Sequence, residues 1–329
     1  MLSDAYNRTI RDLRISLTDR CNFRCFYCLP NGEPPLARKE TILTFEEIAR
    51  AAEIFVSLGI EKLRLTGGEP LIRKGVPDLV RQLATLKPRL KDIALTTNGF
   101  DLPRHAVALK TAGLDRVTLS LDSVDRENFA DITGVDSLDR VLEAIKVAKE
   151  TGFDPVKINA VIVRGRNDHE VVELARFARE NAVSMRFIEY MPLDSGHSWD
   201  RGEVVSGKEI RELIETEFPL VLKDTTRGSE TAWNFAFADG SPGEIGIIAP
   251  VSEMFCGACS RIRLTADGQI RTCLFSTEEH DLRGVLRSDA SDDAVAEFIR
   301  SVVLKKEPRH YINDSEFTPA SRTMSFIGG

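Results

Sequence analysis

Between Asp12 and Met191 the sequence alternates short β-like runs with amphipathic helical stretches, and that alternation leaves few folds open. The runs cover residues 13–18, 62–66, 92–96, 116–121, 156–163 and 185–189. The stretches between them carry start and stop signals. Thr44 and Glu47 spell a capping box, Ile48, Ala51, Ala52, Phe55 and Leu58 follow at helical spacing, and Gly59 offers the stop. Leu79, Val80, Leu83 and Leu86 make a second apolar stripe. Leu138, Val141, Leu142, Ile145 and Ala148 make a third, ending at Gly152, and Gly113 closes the helix between the third and fourth strands. Six βα units in series demand a parallel sheet with right-handed crossovers. A closed barrel takes eight, so the expected fold is α/β: a partial (β/α)6, TIM-like barrel, open on one side.

The runs are unusual for such a sheet. Parallel strands covered on both faces read as near-continuous apolar stretches. Here they alternate instead: Arg14, Ser16 and Thr18; Lys62, Arg64 and Thr66; Thr118, Ser120 and Asp122; Lys157 and Asn159. A period of two sets each group on one face, so the barrel is expected to hold a polar lumen suited to a polar, anionic ligand. An antiparallel sheet with one wet side would alternate too, but it does not fit the βα order. With 51 acidic and 44 basic residues the formal charge is −7. That argues against a nucleic-acid partner, and it makes any convergent set of cations ask for a specific anion.

After Met191 the grammar changes. Residues 192–205 read as loop and 208–218 as a short helix. Two hairpins follow, Asp239-Gly240 joining 233–238 to 245–248, and Asp267-Gly268 joining 261–265 to 269–274. A last helix is expected near 292–303. The expected division is a barrel over 1–195 and a smaller C-terminal α+β region over 196–329. No apolar run approaches the roughly 18 residues of a membrane span. The start, Met1-Leu2-Ser3-Asp4, lacks a signal peptide's cationic and apolar parts. A cytoplasmic protein with no membrane partner is expected.

In the cytoplasm thiols stay reduced, so the six cysteines read as ligands or reactive thiols, not bridges. They fall into two threes, Cys21/Cys25/Cys28 and Cys256/Cys259/Cys273. The first triple follows the first strand, at the loop end where barrel enzymes place their sites. Three thiolates in eight residues can wrap one centre. Zinc would want a fourth ligand, and the first histidine is His105; iron–sulfur clusters are held by thiolates, normally four. Three leave one iron open to something other than protein. In the second triple the Asp267-Gly268 hairpin can return Cys273 to the CxxC pair, and Arg261 and Arg263 place two guanidiniums on one strand face beside it. A zinc knuckle at the first site, or a zinc ribbon completed by His280 at the second, remains the alternative.

CxxxCxxC after the first strand of a partial βα barrel resembles the radical S-adenosylmethionine (SAM) superfamily. Thr66-Gly67-Gly68-Glu69-Pro70 after the second strand agrees, since bare glycines let a backbone approach a ligand closely. In narrower terms the chain is similar to the GTP 3′,8-cyclase family. The motifs lie at residues 13–28, 64–70, 96–99, 120–123, 156–159, 186–191 and 256–264, and at the Gly328-Gly329 end.

The resemblance implies two [4Fe-4S] clusters, with Tyr27, Gly68, Ser120 and Met191 contacting SAM. It implies that Arg14, Arg64, Thr96, Lys157, Arg261, Ile262 and Arg263 contact GTP, and that Arg186, Gly328 and Gly329 serve catalysis. The implied reaction removes the ribose 3′ hydrogen by a deoxyadenosyl radical and closes the ribose onto guanine C8. It further implies an electron donor, hand-off to cyclic pyranopterin monophosphate synthase, and a homodimer. Two other readings remain open: a peptide-modifying radical SAM maturase, and an iron–sulfur electron carrier without a substrate.

Overall fold

Alternation by two turns the apolar half of each barrel strand outward. In the computed structural model, which describes residues 1–29, 36–193, 199–320 and 322–328, the expected strands form as β1 (Asp12–Ser16), β2 (Lys62–Thr66), β3 (Asp92–Thr97), β4 (Arg116–Ser120), β5 (Lys157–Ile162) and β6 (Ser184–Glu189). They pair in parallel, in chain order. Register sets Leu13 beside Leu63 and Ile93, and Leu119 beside Ile158 and Met185, all at most 1% exposed. Each such side chain contributes about 1.5–3 kcal/mol by leaving water. The same register stacks Arg14 beside Arg64, Ser16 beside Thr66, and Asn159 beside Arg186 on the other face.

Helices α1 (Phe45–Ser57), α2 (Val76–Ala84), α3 (Leu102–Ala112), α4 (Arg126–Thr133), α5 (Leu138–Glu150) and α6 (Val171–Asn181) connect the strands and share one apolar core with them. The capping box of α1 forms as expected: Glu47 N–H donates to Thr44 Oγ1 at 3.2 Å, and Thr44 N–H to the Glu47 carboxylate at 2.7 Å. Of these helices α4 escaped the sequence reading, because only Phe129, Ile132 and Thr133 of its eight residues are buried.

The later part contains α7 (Gly207–Glu215), β7 (Leu220–Leu222), β8 (Trp233–Phe237), β9 (Glu244–Ile248), β10 (Arg261–Leu264), β11 (Gln269–Arg271) and β12 (His280–Asp281), then α8 (Leu282–Arg287), α9 (Asp292–Val303) and α10 (Met324–Ile327). Both hairpins form. Their inner strands do more than was expected, for β10 pairs in parallel with β1 and β9 in parallel with β6. The order is β12-β11-β10-β1-β2-β3-β4-β5-β6-β9-β8-β7. Six βα strands therefore lie inside a twelve-stranded sheet whose parallel part runs from β10 to β9. The expected boundary at 195/196 lies outside the described residues, and the sheet continues across it.

Buried Glu189, at the end of β6, ties the two parts together. Its carboxylate accepts the main-chain N–H groups of Gly207, Val251 and Ser252 at 2.7, 2.7 and 2.9 Å. That fixes the start of α7 and the turn after β9, which leads to the second cysteine triple. No helix among the described residues is long and apolar enough to cross a membrane.

Candidate active site

The loop after β1 carries the first triple, and its neighbours hold it closely. Arg24 N–H donates to Thr133 O at 2.8 Å and Phe26 N–H to Ile132 O at 3.1 Å, so the loop rests on the end of α4. A Cβ on Gly68 would sit 2.2 Å from the Arg20 carbonyl oxygen; this glycine lets the loop after β2 close on the cysteine loop. Glu69 then donates its N–H to Arg20 O at 2.8 Å, while its buried carboxylate accepts from Leu71 N–H, Thr97 Oγ1 and Asn98 N–H at 2.7–2.9 Å. Burial lifts that carboxyl to about 7 against these three donors. Asn98, so placed, donates to Asn22 Oδ1 at 2.8 Å with its amide 4.0 Å from Cys21 Sγ. The Tyr27 hydroxyl donates to Asp122 at 2.7 Å, and Asp122 also accepts Val161 N–H at 2.8 Å.

The second triple is assembled from two segments. Cys256 and Cys259 flank a single helical turn, and the β10–β11 hairpin returns Cys273 to them. His310 N–H donates to Cys256 Sγ at 3.5 Å. Arg8, in a buried 2.5 Å pair with Asp4, donates to the carbonyls of Cys256 and Pro308 at 2.9 Å each. The first turn of the chain thus braces both this loop and the segment bearing His310.

Burial raises the thiols of Cys21, Cys25, Cys256 and Cys273, and pushes Cys28 up to about 12. Cys259 is the exception. Burial would raise it too, but Arg261, Lys306 and Arg8 outweigh that and lower it. All six thiols line one cavity, three toward each end. Among the described residues no three Cys, His, Asp or Glu side chains converge on a point, as a single ion requires. His280 pairs with Ile270 at the edge of the sheet and does not line this cavity. Two sets of three thiols fit iron–sulfur clusters, whose thiolates bind separate irons.

The polar strand faces line the same cavity. Arg14, Arg64, Thr96, Ser120, Arg186, Met191, Arg261 and Arg263 all reach it, as do Tyr27 and Gly68. Arg64 donates to Thr96 Oγ1 and Thr118 Oγ1 at 3.0 and 3.1 Å. Arg186 is 9% exposed and its Nε has no hydrogen-bond partner, which marks room for an anion. Burial, then the neighbouring cations, lowers Arg14 and brings Arg64 to about 9; Arg64 stays cationic at neutral pH. Burial likewise brings Arg263 to about 9.

Two expected contact residues stand apart from the lumen band. The Ile262 side chain is turned away from the lumen, 1% exposed and in register with Leu13, because alternation along β10 gives the lumen to Arg261 and Arg263. Lys157 lies lower, in a small adjoining cavity with Lys62, Arg116 and Glu230. Burial and the cations Arg186 and Arg116 lower it to about 7.

At the upper end the C-terminal segment enters the site. Met324 lines the cavity, and the Gly328 carbonyl accepts from Arg263. Gly329 lies outside the described residues. Sequence reasoning passed over Asn98, Lys306 and His310. Asp122 and Asn159 were in the alternating sets and could have been read as site residues from that signal alone.

Comparison with known proteins agrees with this geometry. The family model for the radical SAM superfamily matches residues 15–178, and that for Molybdenum Cofactor Synthesis C matches residues 183–312. The GTP 3′,8-cyclase of Streptomyces coelicolor is 46% identical over 331 residues, spanning 100% of this chain and 96% of that protein. That of Rhodopirellula baltica is 43% identical over 332 residues, spanning 100% and 92%. Among solved structures, Streptococcus suis SuiB bound to its precursor peptide SuiA superposes with a TM-score of 0.63 at 18% identity, covering 98% of this chain and 77% of that one. Native anSMEcpe with bound AdoMet gives 0.60 at 16% identity, covering 92% and 82%. The structural likeness establishes the radical SAM fold, and the full-length identity is narrower: the chain belongs to the GTP 3′,8-cyclase family of the radical SAM superfamily.

Proposed function

We propose that this chain converts GTP to (8S)-3′,8-cyclo-7,8-dihydroguanosine 5′-triphosphate, an early step of molybdenum cofactor biosynthesis, with SAM and two [4Fe-4S] clusters. One observation carries the reading: two cysteine triples and a band of cations line one lumen. Cys21, Cys25 and Cys28 would hold the cluster that binds SAM, and Cys256, Cys259 and Cys273 the second. Bound there, cluster and SAM supply a radical able to take hydrogen from an unactivated carbon, a task beyond side-chain acids and bases.

The chain's own residues do the rest. Tyr27, Gly68, Ser120 and Met191 frame the SAM end, and Asp122 keeps the Tyr27 ring in place through its hydroxyl. Arg14, Arg64, Lys157 and Arg186 form the anion end, where guanidinium forks and an ammonium suit a triphosphate. Arg261 and Arg263 stand beside the second triple and would stabilise charge as it changes on the base. Thr96 orients Arg64. Holding sugar and base together converts ring closure into a positioned, unimolecular event. A peptide substrate would leave these cations without a use. The reading also includes a cytoplasmic setting, an external electron donor, product passing to cyclic pyranopterin monophosphate synthase, a homodimer, and a barrel and a cluster-binding region dividing near residue 195.

The test is anaerobic incubation of reconstituted protein with SAM, dithionite and GTP, beside two triple variants. Replacing Cys21, Cys25 and Cys28 by Ala should leave about half the iron and no SAM cleavage. Replacing Cys256, Cys259 and Cys273 should leave about half the iron and some uncoupled deoxyadenosine, but no cyclised nucleotide. Wild-type protein that takes up zinc and no iron, or that cleaves SAM without consuming GTP, defeats the proposal.

A further inference from the structure

The small cavity below the lumen is bordered by Lys62, Arg64, Arg116, Lys157, Arg186 and Arg261, and three carboxylates face them. Two of the three are committed elsewhere. Asp92 binds Arg116 through both oxygens, and Asp12 accepts the Ser260 hydroxyl. The third, Glu230, pairs with Lys62 at 3.8 Å, with both side chains about half exposed. It also supplies attraction to Lys157 and Arg186. Glu230 lies on the connection between β7 and β8, just after Gly228, which adopts a left-handed φ of +56°. The neighbouring Ser229 carbonyl accepts from Arg261 at 3.2 Å. Two cations bordering this cavity, Lys62 and Arg261, therefore hold this loop, one through a carboxylate and one through a carbonyl.

An exposed pair at 3.8 Å stabilises a fold very little, whereas crowded cations facing one cavity repel one another and gain from any anion. Resting on the GTP reading above, we infer that Glu230 is a resident counter-anion of the phosphate subsite, displaced from Lys62 when the substrate's phosphates enter. The carboxylate keeps the cations aimed at the lower mouth before substrate arrives. It also competes with the phosphates for them, which sets the affinity and discriminates against ligands with too little charge to displace it.

The direction of the effect separates this role from a structural one. A residue that merely supported the loop would weaken GTP binding when removed. Glu230→Gln, which keeps size and polarity, should instead bind GTP about tenfold more tightly at low ionic strength. A single charge–charge term of this kind in water-like surroundings is about fivefold, and relief of repulsion from the remaining phosphates adds to it. Calorimetry on the anaerobically reconstituted protein, with GTP, inorganic tripolyphosphate and guanosine as separate titrants, reads this directly. Tripolyphosphate should tighten by a similar factor, guanosine should not change, and the gain should shrink at high salt. Wild-type protein that binds GTP and tripolyphosphate, beside a Glu230→Gln variant that binds them equally or less tightly, overturns this inference alone. Wild-type protein that binds neither overturns the substrate reading and this inference with it.

Discussion

Replacing Gly328 by Ala tests whether the C-terminal segment is part of the site. Its φ is +83°, a region that costs a residue bearing a Cβ about 1–2 kcal/mol. The added methyl would stand 2.6 Å from Thr66 Oγ1 and 3.0 Å from Ser16 Cβ. Both neighbours belong to buried strand ends, 2% and 1% exposed, and have nowhere to retreat. Such overpacking costs about 1–3 kcal/mol, so the substitution opposes docking by about 2–5 kcal/mol in all. The segment is held by buried Phe326 and Ile327, by Arg322 on Asp267 and Glu279, and by Arg263 donating to the Gly328 carbonyl; against these stands about 1–2 kcal/mol of backbone entropy for each ordered residue. A margin of a few kcal/mol does not survive the loss, and the docked population should fall about 30-fold or more. Hydrogen exchange over residues 322–329 reads docking, and the same sample assayed for cyclised nucleotide reads turnover. Expected are fast exchange and lost cyclisation, with both iron–sulfur spectra and GTP binding retained. An alanine variant that keeps its exchange protection refutes the packing argument, and one that loses protection yet turns over normally refutes the role in catalysis.

Two further outcomes follow from the anion end. Lys157→Ala or Arg64→Ala should weaken GTP about 10- to 100-fold, since charge-assisted contacts contribute about 1.5–3 kcal/mol each. SAM and guanosine affinity should barely move, as parallel titrations will show. Because burial and neighbouring cations hold Lys157 near 7 in the free protein, an arriving triphosphate should raise it and take up a proton. Calorimetry at pH 7.5 in buffers of different ionisation enthalpy should report net proton uptake that Lys157→Ala abolishes. In the same window the sign for folding is fixed. The unfolded chain binds more protons than the folded one between about 7 and the ordinary lysine value of 10.5, so the contribution of Lys157 to stability rises with pH there.

The barrel units were legible in the sequence because each is local: a capping box, a stripe and a glycine stop lie within twenty residues. The polar lumen was legible for a related reason. Alternation in a strand that must be parallel has few causes, and Arg14, Arg64, Ser120 and Asn159 all face the cavity. The parallel pairing of β10 with β1 and of β9 with β6 was not legible, because it joins residues about 60 to 250 positions apart with no pattern of its own. The hairpin signals found these strands but could not say which edge they would meet. His310 was missed for the same reason, since only the folded chain brings its N–H to Cys256. Ile262 shows the opposite case. It carries a role implied by the family motif, and simple alternation beside Arg261 and Arg263 already turned its side chain to the other face.

The pairing of β1 with β10 decides where the two triples stand. The strands run parallel, with Asp12 beside Arg261 and Arg14 beside Arg263. Cys21, Cys25 and Cys28 follow the C-terminal end of β1, whereas Cys256 and Cys259 precede the N-terminal end of β10. Two loops that leave one parallel pair in these opposite senses must lie at opposite ends of the lumen. Five residues of strand at about 3.3 Å each put the ends roughly 17 Å apart, too far for direct contact and a fit for a nucleotide lying between them. The cations of the lower mouth, Lys62, Lys157 and Arg261, occupy the same end as the second triple. On the proposed reading, base and triphosphate would both be drawn to that end, leaving the ribose to face the first triple. A carbon of the sugar, not of the base, would then be what the lumen presents to the SAM end.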